Sequence, residues 1–343
     1  MTTRTLARVA EISALVPIDG ADRIVLAQFI DSAWEVIVSK ADHAVGDRGC
    51  YFEPDAFLPE VPEYEDLRKS SFRTLADGKT GFYVRTIKMR GVYSQGYFLK
   101  AERLPAGPPM NELPLHADLT AALGIQQWPE QVSLGPEQAG RFPVFIPKTD
   151  EERIENSVGK YKQWLADGLS FVWTEKLDGT SFTAFVDVNG EFGYCSRNFQ
   201  LKAADSDGQP SVYAAIVKKY ELEKRLREYG NGIAIQGEII GPRVQANRYQ
   251  RPDHELYLFT AWDIAQKRRI NTQAVAEQLQ LPTVPVYAAE QPLTERVSEL
   301  RALADGPSLL HPKVEREGLV LRGVQDPSIS FKVISRKFLS NQK

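Results

Sequence analysis

Short runs of branched and aromatic residues, each closed by a turn signal, recur along the whole chain. They leave room for many strands and few long helices. Leu6 to Val16, Arg23 to Phe29, Trp34 to Val38, Cys50 to Phe52 and Val92 to Leu99 read as strands. Pro17-Ile18-Asp19-Gly20, Val45-Gly46-Asp47-Arg48-Gly49 and Asp77-Gly78 separate them. Five short strands so spaced predict a small β-barrel, with an OB-fold as the first choice.

From Phe142 onward strands alternate with helices. The strands are expected at Phe171 to Glu175, Ser181 to Asp187, Phe192 to Ser196, Ile233 to Ile240, Leu256 to Ile264, Gly318 to Arg322 and Ser330 to Ile334. A helix is expected over Val212 to Tyr229, with Val212, Ile216, Tyr220 and Leu226 as its apolar stripe. Between the two regions, Leu104 to Gly140 is rich in proline and glycine and reads as a connection, with one short helix near Ala117 to Leu123. The expected class is α+β.

Composition narrows the setting more than the function. No apolar run approaches the roughly 18 residues of a membrane span, and Met1-Thr2-Thr3-Arg4 lacks a secretory core. A cytoplasmic protein is expected, with Cys50 and Cys195 unpaired. The net charge of −3 neither announces nor excludes a nucleic-acid partner, since phosphates need only local basic surface.

The chemistry concentrates at Glu175-Lys176-Leu177-Asp178-Gly179. Lys176 falls at a strand end, with a carboxylate two residues on and a glycine that permits a tight turn. A lysine in a partly buried pocket can lose its proton and act as a nucleophile. Taken alone, a K-x-D-G tetrapeptide is more often a surface turn with a solvated lysine. Four further segments follow. Ser196-Arg197-Asn198 offers a guanidinium suited to phosphate, and Gln236-Gly237-Glu238-Ile239-Ile240 sets one carboxylate in an apolar strand. Phe259-Thr260-Ala261-Trp262-Asp263-Ile264 puts aromatics beside another acid. Glu315-Arg316-Glu317-Gly318-Leu319-Val320-Leu321-Arg322 is followed by Phe331-Lys332-Val333.

In this set and order the segments resemble the covalent nucleotidyltransferase superfamily of polynucleotide ligases and mRNA capping enzymes. Its motifs are K-x-D-G, an S-R-N-like segment, G-E, an aromatic-x-x-aromatic-D segment, E-G-x-V and a final lysine-bearing strand. The resemblance spans Lys176 to Lys332; each motif is weak alone and their order is what carries it. Phe145-Ile146-Pro147-Lys148-Thr149-Asp150-Glu151-Glu152-Arg153-Ile154-Glu155-Asn156 and Gly241-Pro242-Arg243-Val244-Gln245-Ala246-Asn247-Arg248-Tyr249 resemble RNA ligases of the second and fifth families. Asp150 to Glu152 also suit a helix N-terminus with Arg153 solvated. No further OB module is expected in the eleven residues after Lys332; a barrel-like region precedes the motifs instead, as in the fifth RNA ligase family. The strand Phe331-Lys332-Val333-Ile334 departs from the pattern, with one lysine where many relatives have two.

The resemblance implies an N-terminal OB-like β-barrel over residues 1–125, in contact with RNA. An antiparallel-sheet nucleotidyltransferase (ATP-grasp-like ligase) domain would follow over 126–343. It implies an ATP-dependent RNA ligase that seals 3′-hydroxyl and 5′-phosphate ends through lysyl-AMP and RNA-adenylate, in RNA repair. Lys176 is the expected nucleophile. Arg197, Lys332 and Arg153 would balance phosphate charge, and Glu175 joins the nucleotide contacts. Trp262 or Phe259 would stack on adenine, Trp262 being favoured, with Val320 closing the other face. Asp178, Glu238 and Glu317 would hold Mg2+ or Mn2+, partly through water, and the first two could also touch the ribose or the adduct.

The implied partners are RNA ends or a nicked duplex containing RNA, the expected state is a monomer, and no membrane is involved. A DNA ligase, a capping-type enzyme and a non-catalytic RNA end-binding module are the competing readings. His43, His116, His254 and His311 are scattered, so no zinc site is expected. Arg68, Lys69, Arg73, Lys88 and Arg90 interleave with Phe72, Phe82, Tyr83 and Tyr93. They form either a nucleic-acid track or a solvated face over core aromatics.

Overall fold

The computed structural model describes residues 4–75, 77–105, 112–128, 138–202 and 211–341. The chain divides into two compact units. One takes Met1–Val132, Ile154–Lys162 and Leu339–Lys343; the other takes Ser133–Arg153 and Gln163–Phe338.

In the first unit the strand Ala7–Pro17 serves two neighbours. Its first half pairs with Arg48–Phe52 and its second with Ile24–Phe29, with an irregularity between Ile12 and Ala14. Such a bulge bends a strand and lets it turn a corner. The five-stranded order is Tyr97–Lys100, Arg48–Phe52, Ala7–Pro17, Ile24–Phe29, Glu35–Ser39. One face buries Ile12, Val25, Phe29, Trp34 and Tyr51. The other buries Val9, Cys50, Phe52 and Leu99 with Leu58 and Phe82 of a second sheet. That sheet is built from Gln126–Gln127, Ala56–Pro59, Thr80–Tyr83 and Phe72–Thr74, runs too short to stand out in the sequence.

Two expectations are corrected here. Val92 to Leu99 is two strands, Val92–Gln95 and Tyr97–Lys100, broken at Gly96. The helix expected near Ala117 to Leu123 does not form. His116 and Leu119 donate their amides to Val9 and Ala7 at 2.9 and 2.8 Å, and a turn follows. Pairing with a strand outcompetes the local helical preference. Several of the basic and aromatic residues of this unit contact one another or the backbone, as a solvated face over core aromatics would. Phe82 is fully buried, and Arg68 is paired to Glu60 and Glu65 over the rings of Phe72 and Phe82. Lys88 lies 5.0 Å over Tyr93, and Arg90 donates to the Gly20 carbonyl.

The second unit holds a seven-stranded and a five-stranded sheet. The larger runs Gln138–Arg141, Phe199–Leu201, Phe192–Cys195, Thr180–Val186, Ile233–Ile240, Glu255–Asp263, Arg268–Ile270. The smaller runs Glu152–Arg153, Ser330–Ile334, Gly318–Gly323, Ser170–Lys176, Val286–Pro292. Named strands within these sheets pair antiparallel except Glu152–Arg153 with Ser330–Ile334. The near-continuous burial of Ile233–Ile240 suits a central strand covered on both faces. Helices Val212–Lys219, Leu222–Tyr229 and Thr272–Leu279 cover one face, burying Ile216, Leu222, Leu226, Val275 and Leu279.

The single helix expected over Val212 to Tyr229 is broken at Glu221, whose φ of 49° is left-handed. Around Asp150 to Asn156 the backbone forms a short strand and a 3-10 turn at Ile154–Asn156. Both cysteines are buried and unpaired. No helix among the described residues is long and apolar enough to cross a membrane.

Candidate active site

Alternation in Ser170–Lys176 buries Phe171, Trp173 and Glu175 on one face and turns Val172, Thr174 and Lys176 to the other. Leu177 then anchors the following turn among Ile240, Tyr249 and Val284. At Gly179 a Cβ would meet the Ile239 carbonyl at 2.3 Å, so only glycine lets the turn lie against that strand. The Gly179 amide donates to Glu238 Oε1 at 3.1 Å. Lys176 Nζ lies 2.8 Å from both carboxylate oxygens of Glu317. Lys176 also pairs in register with Gly318, whose own Cβ would strike the Val333 carbonyl. The two glycines of the motifs thus bring Lys176, Glu238 and Glu317 together.

A strap over the turn completes the cluster. Tyr249 Oη accepts the Asp178 amide at 2.8 Å, and Gln245 Nε2 donates to the Gly179 carbonyl at 3.3 Å. Arg248 stands 3.6 Å from Asp178 Oδ2, donates to the Glu315 carbonyl and lies 4.5 Å over Phe338. The strap bends through left-handed residues at Arg243, Gln245, Ala246, Asn247 and Gln250. Arg248 and Tyr249 were not singled out from the sequence. The signal available for them was the Gly241-to-Tyr249 segment, whose resemblance carried no residue roles.

The charges are unbalanced. Burial pushes Asp178 up to about 6, with Glu317 adding and Arg248 and Lys176 opposing. Burial pushes Glu238 up to about 8; Lys176 pulls it down while Glu317 and Asp178 add. For Lys176, burial lowers the pKa, but Glu317, Glu238 and Asp178 outweigh it and hold the amine above its ordinary value. Three acids therefore crowd one protonated lysine. They offer oxygen donors only, the set suited to Mg2+ or Mn2+. Among the described residues no three His, Cys, Asp or Glu side chains are placed to hold a metal ion.

The other expected residues fall in five places. Arg153 pairs with Lys332, Lys332 with Val320, and Val320 with Thr174, forming one cross-strand row next to that of Lys176. Glu175 lies on the opposite face, where its Oε2 accepts the Leu309 amide at 2.6 Å. Arg197 is exposed in the turn after Phe192–Cys195 and pairs with Asp150 at 2.9 Å. The two aromatic candidates separate. Phe259 packs beside Leu177 and Tyr249, whereas Trp262 pairs with Ala234 and packs with Phe185, Ile146 and Phe142. A register shift between Gln236 and Gly237 lies between them.

A family model described as RNA ligase matches residues 169–334, and one described as an OB-fold domain matches residues 6–101. No curated protein matches the chain. Among solved structures, a lysine-to-methionine variant of the Naegleria gruberi RNA ligase with AMP and manganese is 31% identical over 99% of each chain, with a TM-score of 0.87. The same organism's ligase with pyrophosphate is 31% identical over 99% of each chain, with a TM-score of 0.86. A glutamate-to-alanine variant with ATP and manganese gives the same values as the pyrophosphate complex.

The chain belongs to the RNA ligase family. As expected from the sequence, the ligase is an α+β protein in which an OB-fold domain precedes an antiparallel nucleotidyltransferase domain.

Proposed function

We propose that this ligase uses ATP to join a 3′-hydroxyl to a 5′-phosphate in RNA, with Lys176 carrying AMP between the two. The supporting observation is Lys176 Nζ, 2.8 Å from Glu317 and set among Asp178, Glu238 and Glu317 at the meeting of two sheets. Relatives solved with ATP, AMP, pyrophosphate and manganese support the same substrates here.

In the first step Lys176 Nζ, once neutral, attacks the α-phosphorus of ATP. The bond to the β-phosphate oxygen breaks, and pyrophosphate leaves. In the second, the RNA 5′-phosphate displaces the lysine and takes AMP. In the third, the 3′-hydroxyl displaces AMP and closes the strand. Asp178, Glu238 and Glu317 would hold the divalent ion, Mg2+ or Mn2+. When bound, that ion supplies positive charge that favours the neutral amine and offsets charge on the phosphates. Arg153 and Lys332, neighbours in one row, bind the phosphates and stabilise the charge that develops there. Val320, in the same row, closes one face of the adenine. The first unit is the RNA-contacting domain and the second the adenylyltransferase, which acts on RNA ends in repair.

Incubation with α-labelled ATP and Mn2+, followed by denaturing electrophoresis, tests the reading. Wild type retains the label and Lys176→Ala carries none. Unchanged labelling of the variant, or labelling by GTP in place of ATP, refutes it.

A further inference from the structure

Gln236 lies two residues before Glu238 in the same strand and on the same face, about 7 Å along it. Thr183 and Thr260 flank it in register on the neighbouring strands, and all three are buried. Its Nε2 donates to the Pro147 carbonyl at 2.9 Å. A carbonyl oxygen can only accept, so this bond settles which end of the amide faces which way. The Oε1 atom is then left buried, with no protein partner among the described residues. Thr260 is engaged by Arg322, whose Nη2 stands 3.1 Å from the hydroxyl. The Thr183 hydroxyl could donate as well as accept and so could not discriminate. Gln236 Oε1 is therefore a fixed acceptor, one strand repeat from the carboxylate cluster.

We infer that Gln236 selects the base of the nucleotide, its Oε1 accepting the exocyclic amine of adenine. This rests on the ATP site proposed above. Adenine presents an amine at its 6-position, where guanine carries a carbonyl oxygen. Hypoxanthine, with a carbonyl there too, would set acceptor against acceptor, and a buried site cannot relax that clash with water. Gln236 acts on which nucleotide enters and takes no part in the phosphoryl chemistry.

The test offers α-labelled ATP and α-labelled ITP separately, with Mn2+, to the same preparation of full-length protein. The ratio of labelling efficiencies is compared among wild type, Gln236→Met and Gln236→Glu. Wild type should prefer ATP by at least about tenfold. Gln236→Met, which lacks the acceptor, should narrow that ratio toward one, and Gln236→Glu, which keeps it, should retain the preference. Both nucleotides meet the same protein, so partial unfolding lowers both rates without moving the ratio. Equal use of ATP and ITP by wild type overturns the inference, as does a Gln236→Met ratio that stays at the wild-type value. A ribose hydroxyl bonded to Oε1 would give that equality. No labelling of wild type by any nucleotide would instead defeat the ATP reading itself, and this inference with it.

Discussion

Lys176 stands as an ammonium, a form that cannot attack phosphorus. Glu317 holds the ammonium at 2.8 Å, and the surrounding acids keep its pKa above the ordinary value. The carboxyls bear the cost, because Asp178 and Glu238 are held above their usual range. Their native pKa values exceed the unfolded ones, so the native state binds more protons between roughly pH 4 and 8. Stability from these two groups is present at low pH and is lost as pH rises through about 6 and then about 8. Asp178→Asn removes one of these charges. It should therefore raise the stability of metal-free protein at pH 8 by on the order of 1 kcal/mol, with little change at pH 4. Urea denaturation at both pH values measures this. A variant weakened equally at both would mean that Asp178 is a net stabilising partner of Arg248. The same substitution should abolish or nearly abolish labelling by ATP, separating function from stability at one residue.

At the scale of elements, Gly179 and the Arg248-Tyr249 strap shape the turn that presents the lysine. Gly179→Ala would drive a Cβ into the Ile239 carbonyl, a backbone atom that cannot swing aside. The expected loss is about 1–3 kcal/mol, together with most of the lysine labelling. Tyr249→Phe takes the acceptor from the Asp178 amide and should cost about 1–3 kcal/mol, with labelling slowed about tenfold. Denaturation midpoints and labelling rates measured on the same samples test both; a Tyr249→Phe variant with wild-type kinetics would remove the strap from the account. The strands bearing Lys176, Glu238 and Lys332 were legible because each is a run of branched and aromatic residues with its polar residue in a recognisable motif. Ile233–Ile240 and Ser330–Ile334 have the bounds expected from the sequence. What was not legible depends on pairing. The register shift at Gln236 and Gly237, which lies between Phe259 and Trp262, leaves no local trace, nor does the left-handed Glu221 that splits a helix. Glu175 faces away from Lys176 because strand alternation allows only one of two neighbours to face the site.

At the scale of the molecule, the balance of 42 basic against 45 acidic residues limits how RNA can be held. A net charge of −3 gives a polyanion no long-range attraction, so affinity must come from short-range contacts at local basic clusters. Each phosphate contact on a single strand releases counterions and contributes about −0.7 to the slope of log affinity against log salt. If only a few phosphates are engaged, the slope for a 5′-phosphorylated RNA should be no steeper than about −3. The proposed labelling of Lys176 by ATP would take place among half-buried groups, so it should respond less to salt than RNA binding or the later steps do. Fluorescence anisotropy with RNA from 50 to 300 mM NaCl, set beside labelling rates in the same buffers, compares the two. A slope near −7 would require about ten phosphate contacts, hence a long basic track. The exposed Lys88 and Arg90 of the first unit would then be the first residues to neutralise. A shallow slope leaves RNA recognition to the chemistry of the ends.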